Sequence, residues 1–230
     1  MNYKMSFNGT SSEDMNVIMY DLPEVALPKK NYDTYSIPGR NGELIGSDSY
    51  LSNVVITCTF SILSEYFTKT VREIRRWLRG TGKLYLSDDT DLFYDVLAID
   101  YDNIEREIST YGRFSVRFTC YPYEFAETGQ AEHTIVEASN NIYDTCMPLY
   151  KISGNGQCML NVNNYIFMAN VQELLNVDTR LMICHDADGN YKNTFVSGDY
   201  SKLWLKNGQN IISITNGFTL VIKPRWGYSL

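Results

Sequence analysis

The chain has 230 residues, 44% of them hydrophobic and 13% aromatic, enough apolar matter for one large core or two smaller ones built on pleated, half-buried surfaces. Its net charge is −7. Residues 1–130 hold 13 basic and 19 acidic side chains and residues 131–230 hold 7 and 8, so neither part has the basic footprint of a nucleic-acid binder; no apolar run approaches the ~20 residues of a membrane-spanning helix.

The opening, Met1-Asn2-Tyr3-Lys4-Met5-Ser6, lacks the apolar stretch of a secretory leader. Synthesis and folding in a cytoplasm are expected. Turn signals then follow closely: Asn8-Gly9, Pro23, Pro28, Pro38-Gly39 and Asn41-Gly42. An extended stretch runs from Asn31 to Ile37, whose proline neighbour disfavours the helical region. Between Asn53 and Phe60 the alternation is clean, with Val54, Ile56, Cys58 and Phe60 on one face of a strand. Ser64 is placed to cap a helix over about 64–79, because Phe67, Val71, Ile74, Trp77 and Leu78 form one stripe. Glu65 and the terminal Arg75, Arg76 and Arg79 complement its dipole, and Gly80 and Gly82 stop it.

Strands resume at Lys83–Leu86, Phe93–Ile99, Ile104–Ser109 and Arg113–Cys120. The polar stretch 127–132 reads as a linker. Beyond it, short apolar runs (147–152, 159–162, 165–169, 181–184, 202–205, 211–214 and 218–222) are separated by Gly and Asn turns, the spacing of a β-sandwich. The fold class is therefore mainly β, with one helix.

Chemistry is sparse. His133 and His185 lie in no metal-ligand spacing, and no Gly-x-Ser-x-Gly elbow is present. The five cysteines are odd in number with no Cys-x-x-Cys pair, which suits buried small hydrophobes in place of disulfides or zinc. Gly154-Asn155-Gly156 reads as a plain turn between strands. Asp88-Asp89-Thr90-Asp91 and Asp186-Ala187-Asp188-Gly189 both miss the glycine and carboxylate positions of a calcium loop, and Asp188-Gly189 reads as a hairpin turn. No cofactor, metal or catalytic constellation is expected. Trp204 and Trp226 are the candidates for stacking on a sugar.

Several segments, in order, match a known family. Met5-Ser6-Phe7-Asn8-Gly9, then Tyr35-Ser36-Ile37-Pro38-Gly39-Arg40-Asn41-Gly42-Glu43-Leu44, resemble the opening and the Pro-Gly-Arg-Asp/Asn-Gly signature of siphophage distal tail proteins. Ile74-Arg75-Arg76-Trp77-Leu78, Lys83-Leu84, Ser87-Asp88-Asp89 and Phe118-Thr119-Cys120-Tyr121-Pro122-Tyr123 are similar to the helix, strand and closing segment of the family's first domain. The match covers roughly residues 1–125.

The resemblance implies an N-terminal ring-forming, tail-tube-like domain over 1–130, a β-sandwich or split barrel with one packed helix, and a galectin-like β-sandwich over 131–230. It also implies a non-enzymatic hexameric ring at the virion tail tip of a phage or prophage, assembled in the bacterial host cytoplasm. The partners implied are other copies of itself, the major tail-tube protein, a tail-associated lysin or fibre protein, and receptor-binding or baseplate proteins through the C-terminal domain. Direct nucleic-acid or membrane contact is not among them. A ring needs head-to-tail contacts that close, and the segment Asn31–Leu44 suits reaching onto a neighbour through Tyr35, Ile37, Pro38, Gly39, Arg40, Asn41 and Gly42, with Arg40 pairing across the interface. An intramolecular hairpin closing the first domain is the alternative. Other readings are a carbohydrate-binding module acting through Trp204 or Trp226, although the histidine-asparagine-arginine pattern of galectins is missing, and a tail-tube subunit.

Overall fold

The computed structural model describes residues 3–134 and 138–230; Met1 and Asn2 of the opening segment lie outside the described residues. The chain divides into two compact units, 1–124 with Leu230, and 125–229. This boundary falls six residues before the polar stretch suggests, because Phe125 and Ala126 are buried and Ala126 N–H donates to the Trp226 carbonyl, 2.8 Å, within the second unit.

In the first unit, β1 (Met5–Phe7) and β2 (Thr10–Ser11) meet across Asn8 (φ 50°) and Gly9 (φ 80°), the two positive-φ positions of a tight hairpin turn. Then come β3 (Val17–Met19), β4 (Glu24–Val25), β5 (Lys30–Tyr35), β6 (Leu44–Leu51) and β7 (Val54–Leu63), followed by α1 (Phe67–Trp77), β8 (Gly82–Leu86), β9 (Asp89–Tyr101), β10 (Glu105–Arg106) and β11 (Tyr111–Ala126). The main sheet runs β2-β1-β8-β9-β11-β7-β3 and curls into a half barrel. Period-2 alternation turns Val54, Ile56, Cys58, Phe60 and Ile62 of β7 toward a core shared with Phe114, Val116, Phe118 and Cys120 of β11. Phe60 stacks on its partner Phe114 at 5.2 Å between centroids.

α1 supplies Phe67 and Ile74 to this core, and Leu78 just past its end joins them, while Trp77 Nε1 donates to the Phe7 carbonyl at 3.2 Å. The helix is shorter than its periodicity suggests. Ser64 does not cap it; its hydroxyl accepts from Tyr66 N–H, 3.1 Å, and lies 2.9 Å from the Thr70 hydroxyl. That local bond holds residues 64–66 outside the helix, so Glu65 contributes nothing to its first turn. At the other end Leu78 N–H reaches the Ile74 carbonyl, and Gly80 takes φ 80°. The predicted strand over Ile104–Ser109 shrinks to the two residues of β10, because Arg106 turns back to the carbonyls of Ile108 and Ser109.

The second unit opens with a short 3-10 turn, Glu127–Gln130, followed by β12 (His133–Thr134), β13 (Ala138–Asn141), β14 (Leu149–Val162), β15 (Tyr165–Asp178), β16 (Ile183–His185), β17 (Val196–Ser197), β18 (Gly208–Ile214), β19 (Thr219–Lys223) and β20 (Gly227–Ser229). The path is β12-β19-β14-β15-β16, with β18 also on β14 and β17 also on β15. Gly154-Asn155-Gly156 is not a turn between strands. It lies inside β14, paired in unbroken register with β15. Gly154 (φ 150°) sits under Phe218, where a Cβ would come within 2.4 Å of the ring, so glycine lets one long strand pass where two short ones were expected. Asn163 and Asn164, both at positive φ, form the two-residue turn into β15.

Two polar devices hold this unit. Asp178 and Arg225 form a two-pronged ion pair at 2.7 and 2.8 Å with both side chains nearly buried. Burial works against the Asp178 charge, but the Arg225 bonds and the N–H groups of Arg180 and Leu181 outweigh it and hold the carboxyl below its ordinary value. The fully buried Asn210 donates to the carbonyls of Lys206 and Gly208 and accepts from Lys206 N–H and Asn163 Nδ2. Its amide thereby ties the 206–210 turn to the β14–β15 hairpin.

Candidate functional site

Strands β5 and β6 belong to neither large sheet. They pair only with each other among the described residues, Lys30 with Leu51 at the base and Tyr35 with Leu44 near the tip. The base is tied by Lys29 N–H to the Ser52 hydroxyl, 2.8 Å, and Ser52 N–H to the Lys29 carbonyl, 2.9 Å. A register shift follows Tyr32, and there Gly46 lies too close to the Asp33 carbonyl and the Tyr35 ring for a larger residue to fit easily. At the tip Arg40 N–H donates to the Ile37 carbonyl, 3.1 Å, and Gly39 takes φ 82°. Pro at the second position and a positive-φ Gly at the third make this a type II turn. Gly42 repeats the positive φ, 79°.

None of the residues from Tyr35 to Ile45 is buried. Tyr35 (58% exposed), Ile37 (45%), Ile45 (65%) and Tyr50 (67%) stand in solvent together with Tyr32 and Leu44. Directly paired side chains share a face of a strand pair and neighbouring pairs alternate. Tyr35–Leu44 therefore marks one face and Thr34–Ile45 the other, so both faces carry apolar groups. An isolated two-stranded hairpin is marginal in water, and clustered exposed apolar side chains mark interaction surfaces. The Arg40 side chain makes no hydrogen bond or ion pair among the described residues and is exposed.

The structure thus brings Tyr35, Ile37, Pro38, Gly39, Arg40, Asn41 and Gly42 together at the tip of one projecting arm. The hairpin forms, as the intramolecular reading expects, but among the described residues it adds none to the first unit's core. Sequence reasoning included Tyr32 and Leu44 within the Asn31–Leu44 segment without singling them out, and missed Ile45 and Tyr50 beyond it. Their signal is present as apolar residues flanking a strong turn, but nothing local distinguishes a strand pair that stands free from one that packs.

The two tryptophans are half-buried in the second unit. Trp204 Nε1 donates to the Thr179 carbonyl at 3.3 Å, and the Trp226 ring stacks on Tyr143 with 6.3 Å between centroids. All five cysteines are buried and free. Burial pushes the Cys58 and Cys120 thiols up to about 12 and those of Cys146 and Cys184 up to about 11. They stay protonated at neutral pH and act as small hydrophobes. Among the described residues no three His, Cys, Asp or Glu side chains are grouped to hold a metal ion.

A family model described as a phage tail protein N-terminal domain matches residues 1–121. Among solved structures, the Dit protein (gp 19.1) of SPP1, presented as a paradigm of the hub adsorption apparatus in Gram-positive infecting phages, is similar in fold. It aligns with a TM-score of 0.65 at 12% identity, covering 96% of this chain and 98% of that one. No curated protein matches the chain.

Proposed function

The chain belongs to the phage tail proteins that share this N-terminal domain, and from that premise we propose that it is a distal tail protein acting as a ring subunit. Six copies close head-to-tail at the tail tip and join the tail tube to the host-adhesion apparatus, a structural role without catalysis. The fold shared with the SPP1 hub protein supports this reading. The observation that carries it is the arm: β5 and β6 expose apolar residues on both faces, with Arg40 unpaired at the tip among the described residues. A strand pair of that kind gains stability by lying against a second copy, and a repeated head-to-tail contact closes into a ring when its rotation permits. The tail-tube protein above, a tail-associated lysin or fibre protein below, and receptor-binding or baseplate proteins on the second unit complete the assembly. Assembly takes place in the host cytoplasm.

Native mass spectrometry and negative-stain imaging test this, with and without the tail-associated protein. The wild-type chain forms discrete rings, and Arg40→Glu yields a folded monomer that does not. Unchanged oligomerisation of the variant rejects the arm as the contact. Long tubes point to a tail-tube subunit, and a chain that stays solitary and is missing from purified particles defeats the ring reading altogether.

A further inference from the structure

The second unit carries a groove on the solvent face of β15, beside β17. It encloses about 450 Å³ and is lined by Gln157, Met168, Asn170, Thr194, Phe195 and Ser197. Register explains the floor: Gln157 of β14 lies opposite Asn170 of β15, and Met168 lies opposite both Met159 and Ser197. The wall comes from the loop after β16, folded back by the bond from Cys184 N–H to Asn193 Oδ1, 2.6 Å. A second, smaller depression shares Asn170 and Phe195 and ends at Asp186 and Lys192. These two neutralise each other at 3.6 Å.

The polar side chains at the groove differ from four amides that are spent on the fold of this unit. Asn141, Asn163, Asn176 and Asn210 all spend their side chains on hydrogen bonds within the fold. Gln157, Asn170, Thr194 and Ser197 make no side-chain hydrogen bond among the described residues, and they converge on one concavity. Lys192 Nζ lies 5.0 Å from the Phe195 ring centroid, and that half-buried ring also lines the groove. The volume is that of a small-molecule site, in which a few placed polar groups fix an otherwise apolar contact.

We infer that this groove binds a neutral saccharide. The larger depression carries no charged side chain, which excludes a requirement for an ionic ligand. Amides and hydroxyls that both donate and accept match the alternating donors and acceptors of sugar hydroxyls. Met168 and Phe195 supply the apolar contact for a pyranose C–H face. The continuation past Phe195 gives room for a second sugar unit. This site shares no residue with the arm and stands or falls independently of ring formation.

Saturation-transfer NMR on the full chain tests it, using neutral tetrasaccharides of glucose, galactose, rhamnose and N-acetylglucosamine. Poly(glycerol phosphate) and an uncharged peptide serve as competing classes. At least one neutral saccharide receives transfer. Its affinity falls about tenfold in Asn170→Ala and in Thr194→Ala, the loss of one net hydrogen bond each, and further in Phe195→Ala, while Arg40→Glu leaves it unchanged. Asn170 and Thr194 are exposed, so those two variants fold whatever becomes of Phe195→Ala. The inference is overturned if no neutral saccharide binds, if only the polyanion or the peptide binds, or if affinity withstands both Asn170→Ala and Thr194→Ala.

Discussion

Two antiparallel hairpins in this chain share a backbone plan and differ in everything else. The β14–β15 hairpin buries one face, with Tyr150, Ile152, Leu160 and Val162 facing the core beside Phe167, Val171 and Val177. Among the described residues the β5–β6 arm buries neither face. The first is stabilised by its own unit, whereas the second is held by its ladder, its type II tip and the Lys29–Ser52 ties at its base. A strand pair that leaves Tyr35, Ile37, Ile45 and Tyr50 in water forgoes burial worth about 1.5–3 kcal/mol for each large aliphatic side chain, which only another surface can restore.

Core truncation breaks this comparison most directly. Phe167→Ala removes a fully buried ring and should destabilise the second unit by about 3–5 kcal/mol, read by denaturant titration. Ile45→Ser in the arm should change monomer stability by no more than about 0.5 kcal/mol yet abolish ring assembly. Equal losses of stability would show that the arm packs against its own unit.

The ion pair gives an effect of similar size with a pH signature. Asp178→Asn leaves Arg225 buried without its counter-charge and should cost about 3–5 kcal/mol at neutral pH. The Asp178 carboxyl is held below its ordinary value in the folded chain, so its contribution is complete above the ordinary carboxylate range and disappears as pH falls through the depressed folded value. Thermal melts from pH 7 down to strong acid should therefore converge for wild type and variant. Curves that stay parallel across that range contradict the assignment.

A smaller effect comes from Gly154→Ala, which drives a Cβ into the Phe218 ring at a positive φ. About 1–3 kcal/mol should be lost, visible as a lower melting temperature of the second unit. Gly39→Ala at the tip meets no neighbouring atom within 4 Å but keeps its φ of 82°, so only backbone strain of about 1–2 kcal/mol applies. Because the tip is local, hydrogen exchange should quicken at Arg40 while the rest of the first unit keeps its protection.

Local pattern by itself determined a good deal: β7, whose alternation from Val54 to Phe60 needs no distant partner to be read, the helix stripe of Phe67, Ile74 and Leu78, and the Asn8-Gly9 turn. The Pro38-Gly39 turn was equally legible, because proline and positive-φ glycine specify its type within four residues. Only tertiary structure decided that β5–β6 pairs with no other strand among the described residues, that β14 runs unbroken beneath Phe218, and that Asn170 and Thr194 face one groove. In each case the deciding neighbour is distant in sequence or missing from the chain itself. Short-range periodicity reports which residues share a face, and long-range packing decides whether that face has anything to cover it.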